Sequence, residues 1–110
     1  MLDVTEQALF ILASLVQGEL HGYGIAQDVD DLSGGRVRLT AGTLYGALNR
    51  LADDGLIEPA GERQVQGRRR RYYRLTASGH SALEGEVERL RQSAAVLGAR
   101  LAARPAPGLA

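Results

Sequence analysis

Thr40-Ala41-Gly42-Thr43-Leu44-Tyr45-Gly46-Ala47-Leu48-Asn49-Arg50-Leu51-Ala52-Asp53-Asp54-Gly55 is the stretch on which the reading of this chain turns. Leu44, Ala47, Leu48 and Leu51 recur at the i, i+3, i+4, i+7 spacing of a helix with one buried stripe. Thr40 is placed as the N-cap, and Gly55 as the left-handed residue that ends the helix. The spacing therefore predicts a helix over 40–54. At about 100° per residue its opposite face carries Gly42, Gly46, Asn49 and Asp53, flanked by Tyr45 and Arg50. Two glycines on the outside of a short helix cost roughly 1 kcal/mol each against alanine. A face stripped in this way suits close approach by a partner.

Upstream, Ala8, Leu9, Ile11, Leu12, Leu15 and Val16 give a broad apolar face to a first helix over 4–17. Asp3 and Glu6 stand in capping-box spacing, and Gly18 is its stop. Glu19-Leu20-His21 reads as a loop, with His21 a capping or packing residue. A second helix follows over about 22–32, with Gly22, Ile25, Ala26 and Val29 inward. Ser33-Gly34-Gly35 breaks it. Val37-Arg38-Leu39 alternates apolar with charged, which predicts a brief strand.

Downstream, Leu56–Ala60 reads as a strand that Pro59 confines to a sheet edge or a bulge. Glu62–Gly67 is polar and is expected to form the hairpin tip. Arg68–Leu75 is the return strand, with Arg71, Tyr73 and Leu75 on one face and Arg70, Tyr72 and Arg74 on the other. Thr76 caps a last helix. In it Leu83, Val87, Leu90, Ala94, Leu97 and Leu101 are spaced alternately four and three apart, a heptad seam. A lone helix cannot bury that seam, which leaves the body of its own domain or a second copy as its cover. Arg104-Pro105 ends the helix near 103.

Composition bounds the rest. A chain of 110 residues predicts a single fold with little spare core. There is no cysteine, and His21 and His80 lack ligand-pair spacing, so no metal or cofactor is expected. No apolar run approaches the roughly 20 residues of a membrane span, and no basic region precedes the first apolar run. A cytoplasmic protein without a membrane partner is the expectation. The net charge is zero but unevenly spread. Residues 1–35 hold six carboxylates and no arginine, whereas residues 36–75 hold nine arginines against four carboxylates. No nucleophile signature surrounds the serines, so an enzyme is not expected.

Helix, helix, short strand, helix and hairpin is a winged helix-turn-helix order, mainly α with a small β-hairpin, followed by a long C-terminal helix. In that architecture the third helix enters the DNA major groove and the wing lies along the flanking backbone. Asn can pair bidentately with adenine, Thr can meet the thymine methyl, and glycines let the backbone come close. Thr40, Gly42, Thr43, Tyr45, Gly46, Asn49 and Arg50 are thus the candidate contacts of the third helix to double-stranded DNA. Arg63, Arg68, Arg69, Arg70, Arg71 and Tyr72 are those of the wing, where guanidinium groups clamp phosphates.

The segments HGYGI (21–25), TAGTLYGALNRLADDGLI (40–57) and GRRRRYYRLTASG (67–79) resemble the PadR family of bacterial transcriptional regulators. The resemblance spans roughly residues 5–85, and the chain's short length, with one C-terminal helix, is similar to the compact subfamily. It implies a homodimer, palindromic operator binding, and repression relieved by a small-molecule effector. On that footing residues 1–75 are the DNA-binding unit and 76–104 the dimerisation helix, with a disordered tail over 105–110. Leu83, Val87, Leu90, Ala94, Leu97 and Leu101 would line the dimer, and Phe10, Val87, Leu90 and Leu97 an effector pocket. Ala41 and Arg69 stand where the family commonly has proline. The tryptophan on which some compact members stack flat ligands is missing. The competing expectation is a winged-helix module for protein interaction or ligand sensing, with weak DNA affinity.

Overall fold

In the computed structural model, which describes residues 4–105, every helix starts on a side chain that accepts from its third amide. Thr5 opens α1 (Glu6–Ser14), accepting from Ala8 N at 3.1 Å. His21 opens α2 (Gly22–Leu32) through Nδ1, which accepts from Gly24 N at 3.2 Å. Thr40 opens α3 (Ala41–Asp53), and Thr76 opens α4 (Ala77–Ala102). The capping role expected of Asp3 belongs to Thr5 instead. Asp3 itself lies outside the described residues, as does the expected tail apart from Pro105. α1 is also shorter than its apolar pattern suggests, because the chain turns after Ser14, whose hydroxyl donates to the Ile11 carbonyl. Val16 consequently stands exposed rather than in the core.

Gly55 ends α3 as a Schellman turn. Its φ is +76°, its N–H donates to the Ala52 carbonyl, and the Leu56 N–H reaches back to Leu51 at 2.9 Å. Leu51 and Leu56, the apolar pair that accompanies this turn, are both buried.

The sheet has three strands in the order β1-β3-β2, where β1 is Leu20–His21, β2 is Ile57–Val65 and β3 is Arg68–Leu75. Pro59 sits on the edge strand, beside a register shift between Pro59 and Glu62. Three sequence expectations fail here. Val37-Arg38-Leu39 forms no strand, because Ser33 captures its backbone: Ser33 Oγ accepts from Val37 N at 2.9 Å and donates to the Val37 carbonyl. Leu20-His21, read as loop, instead pairs antiparallel with Tyr73-Tyr72. Nor is the whole of Glu62–Gly67 the hairpin tip. The ladder runs to Val65↔Arg68, and the turn is Gln66-Gly67 alone, with φ of 52° and 78°. Two positive φ values mark the tight primed turn of a hairpin, and Gln is an unusual residue for its first position.

The core joins Ile11 and Leu12 of α1, Ile25 and Val29 of α2, Leu44 and Leu48 of α3, and Ile57 and Tyr73 of the sheet. α4 docks on it through its first turns, with Gly79 buried against Leu56 and with Ala82 and Leu83 packed on the core, and its later turns leave the body. The molecule measures 67 × 27 × 22 Å, with a radius of gyration of 17.9 Å. A compact chain of about 100 residues would have about 13 Å.

Candidate nucleic-acid interface

α3 turns its stripe fully inward: Leu44, Ala47, Leu48 and Leu51 are all buried. Thr43, Tyr45, Asn49 and Arg50 are exposed on the remaining surface. At Gly42 nothing lies within 4 Å of where a Cβ would stand, and at Gly46 only the Arg50 guanidinium does, at 3.7 Å. The outer face of α3 is therefore bare along the helix. Thr40 and Thr43 are tied to each other. The Thr40 hydroxyl accepts from Thr43 N and donates to Thr43 Oγ1 at 3.0 Å, so Thr40 serves first as the cap. Tyr45 keeps about half of its surface exposed, with the end of its ring against Gly22 of α2.

The wing separates its arginines into two groups. Glu19, from the connection after α1, ion-pairs with Arg63 and also reaches Arg74 at 3.4 Å. Arg74 Nε donates to Glu58 at 2.8 Å, and that hydrogen bond raises the arginine pKa above its ordinary value. The Arg63 guanidinium lies 4.0 Å above the Tyr72 ring, and that of Arg70 lies 5.7 Å from the Tyr23 ring. Arg68, Arg69 and Arg71 project from the strand near the turn, exposed and with no carboxylate partner among the described residues. Among the six residues expected at the wing, these three offer exposed, unpaired charge, and the half-buried Arg70 also lacks a carboxylate partner among the described residues. Arg63 is ion-paired and packed on Tyr72, while the Arg70 guanidinium lies over the Tyr23 ring.

Glu19, His21 and Tyr23 bear on this surface, and the sequence reading did not place them in it. His21 stacks on Tyr23 at 6.4 Å and meets Tyr72 edge-on at 5.3 Å. Its pKa is lowered by burial and, secondarily, by the Arg70 charge. The signal lay in the β1 pairing, His21↔Tyr72, which a two-residue strand is too short to announce.

The long helix presents its seam to solvent. Leu90 is 49% exposed, Leu97 65% and Leu101 70%. Between α1 and the first half of α4 runs a groove of about 590 Å³, lined by Leu9, Phe10, Ala13, Leu83, Val87 and Leu90, with Arg36 and Glu6 paired at its edge. Phe10, Val87 and Leu90 come together there as expected. Leu97 does not, because it lies almost two further turns along a helix that has left the body, where its neighbours are Gln92, Ser93 and Val96 of the same helix. No helix among the described residues is long and apolar enough to cross a membrane.

Three helices, a short third strand and an arginine-bearing hairpin beside a bare α3 define a winged helix-turn-helix protein. Residues 11–85 match the transcriptional regulator PadR-like family, and the chain belongs to that family. Its members are transcriptional regulators, not enzymes. The chain is 40% identical over 86 residues to the transcriptional regulator Rv3488 of Mycobacterium tuberculosis, covering 78% of this chain and 77% of that protein. A PadR family transcription regulator from Clostridium difficile superposes with a TM-score of 0.75 at 29% identity, over 88% of this chain and 99% of that one. Bacillus subtilis PadR, solved in complex with operator DNA, superposes with a TM-score of 0.63 at 29% identity. That match covers 72% of this chain and 45% of the Bacillus protein.

Proposed function

We propose that this regulator is a homodimeric, sequence-specific DNA-binding repressor of a palindromic operator. The observation that carries the reading is the bare outer face of α3, open at Gly42 and lined by Thr43, Tyr45 and Asn49, beside the unpaired Arg68, Arg69 and Arg71. Asn49, Tyr45 and Thr43 read base edges, while Arg50 and the wing arginines hold phosphates. That Bacillus subtilis PadR was solved in complex with operator DNA supports the DNA-binding reading. Residues up to 75 are then the DNA-binding unit. The α4 seam, with Leu83 at its root and Val87, Leu90, Ala94, Leu97 and Leu101 beyond, pairs two copies. Covering the seam recovers on the order of 1 kcal/mol per large side chain in each copy.

In this reading the groove at Phe10, Val87 and Leu90 holds a small apolar effector. Bound there, it changes the angle between α4 and the body, and with it the spacing of the two α3 helices. Selection of bound fragments from a randomised duplex library tests the DNA claim. Enrichment of a palindrome whose half-sites lie about one helical turn apart is the expected result. Recovery of unrelated duplexes, with no discrimination at physiological salt, would overturn it.

A further inference from the structure

Gly22 has no backbone reason to be glycine. It is the first residue of α2, it is buried, and it is not among the residues with positive φ. Alanine would suit a helix better there. What fills the space of a side chain is Tyr45 of the neighbouring helix. A Cβ at position 22 would stand 2.8 Å from Tyr45 Oη and 3.2 Å from its Cζ, with Leu44 Cδ2 next at an ordinary 3.4 Å. Gly79, where the first turn of α4 packs on Leu56, makes a useful contrast. A Cβ there would meet the Leu56 carbonyl oxygen at 2.0 Å, and backbone cannot move aside. At Gly22 the obstacle is the far end of one side chain, which can swing away while the fold stays intact.

Tyr45 is nonetheless about half exposed. Its ring is therefore held at one end and reachable along the rest. A long side chain ordered before binding loses less entropy when it meets its target.

We infer that Gly22 is a positioning residue for DNA recognition: its bare Cα seats the phenol of Tyr45 against the first turn of α2. The orientation of a residue on the reading helix is thereby set from the helix before it. The seat stands on the geometry alone, while its consequence for DNA rests on the reading role proposed for α3. Two independent readouts separate the two.

The test is Gly22→Ala in the full chain, followed by the ring carbon signals of labelled tyrosine and by affinity for the selected operator and for random duplex. The expected result is a Tm within a few degrees of the parent and a displaced Tyr45 ring signal, with Tyr72 and Tyr73 unmoved. Discrimination between the two duplexes should fall about three- to tenfold, the worth of one net hydrogen bond. In a Tyr45→Ala background the same substitution should cause no further loss, because the space is already vacant. Unmoved Tyr45 signals would overturn the seat without reference to DNA, and so would loss of the fold. A moved ring with unchanged discrimination would overturn the positioning role, as would an equal loss in both backgrounds. A parent protein that discriminates no duplex would count against the DNA reading, leaving the ring signals to decide the seat.

Discussion

α3 and α4 carry the same apolar periodicity, each start on a capping threonine, and meet opposite fates. Leu44, Leu48 and Leu51 of α3 are 4%, 0% and 5% exposed, whereas Leu90, Leu97 and Leu101 of α4 keep from about half to 70% of their surface in water. Both patterns state that a face must be covered, and neither states by what. The difference arises from reach. α3 lies across the body between α2 and the sheet, so its stripe meets Ile25, Val29 and Ile57 of its own chain. The 26 residues of α4 extend about 39 Å, and only the first turns stay over the core. A stripe that outruns its own domain stays exposed, and the proposed pairing of two copies is what would cover it.

The largest effect expected from this contrast is on stability. Leu48→Ala empties a fully buried site and should lower the unfolding free energy by about 2–5 kcal/mol at every protein concentration. Leu97→Ala, at the same kind of heptad position, should matter only where copies associate, so its effect should fade on dilution. Denaturant titrations at two protein concentrations check both. A Leu48 variant of unchanged stability, or a Leu97 variant whose loss ignores concentration, would break the comparison.

Next in size is the loss of pairing. Leu90→Glu together with Leu97→Glu places charges on the seam and should convert the protein to a monomer with its fold retained. Affinity for a two-half-site duplex should then fall at least tenfold, since linked binding commonly contributes about 10²–10⁴. Sedimentation and a binding titration on the same sample are the measurement. A dimer that survives both charges would assign pairing to another surface.

Most of the architecture was legible because long-period signals survive in a single sequence. The α3 stripe, the Thr40 and Thr76 caps, the Gly55 stop and the heptad seam each involve residues whose spacing is itself the signal. What escapes such a reading is short or non-local. β1 is two residues that become a strand only because β3 offers an open edge, and Val37 is diverted by one serine hydroxyl. The Gln66-Gly67 turn lacks the Asn-Gly signature, so the wing reads as shorter than it is. At the candidate site, residue type located the arginines but not their occupancy. Glu19 is 44 residues from Arg63 in sequence, and no local pattern announces that it takes two wing arginines. Heptad logic alone puts Leu97 in the groove, and it carries no information on where the body ends.

Salt sharpens the contrast further. A face built for phosphates weakens as salt rises, whereas an apolar seam does not. Arg69→Ala with Arg71→Ala should flatten the slope of log K against log salt by about 0.9 for each phosphate no longer neutralised. Arg63→Ala should leave the slope nearly unchanged, because its charge is already met by Glu19. Equal slopes in the two variants would show that the paired arginine opens on binding.

The smallest effect concerns the caps. Thr76, which starts α4, has no proton to gain, whereas His21, which starts α2 and borders the seat of Tyr45, does. His21 accepts through Nδ1, so protonation there removes the cap and sets a cation near Arg70, between Tyr23 and Tyr72. Its folded pKa lies below the ordinary 6.5 through burial first and Arg70 second. Between the folded and unfolded values the unfolded chain binds more protons, so this stability is complete above pH 6.5 and is lost as pH falls through the folded value. His21→Asn keeps a capping oxygen without a titrating proton. Its Tm should therefore decline less than that of the parent between about pH 6.5 and 5, above the range of ordinary carboxylates. Hydrogen exchange should place the difference in α2 and the adjoining face of α3, with α4 unaffected. Parallel Tm curves for parent and variant would show that the cap does not discriminate between the protonation states of His21, and the acid sensitivity of α2 and α3 would then lie elsewhere.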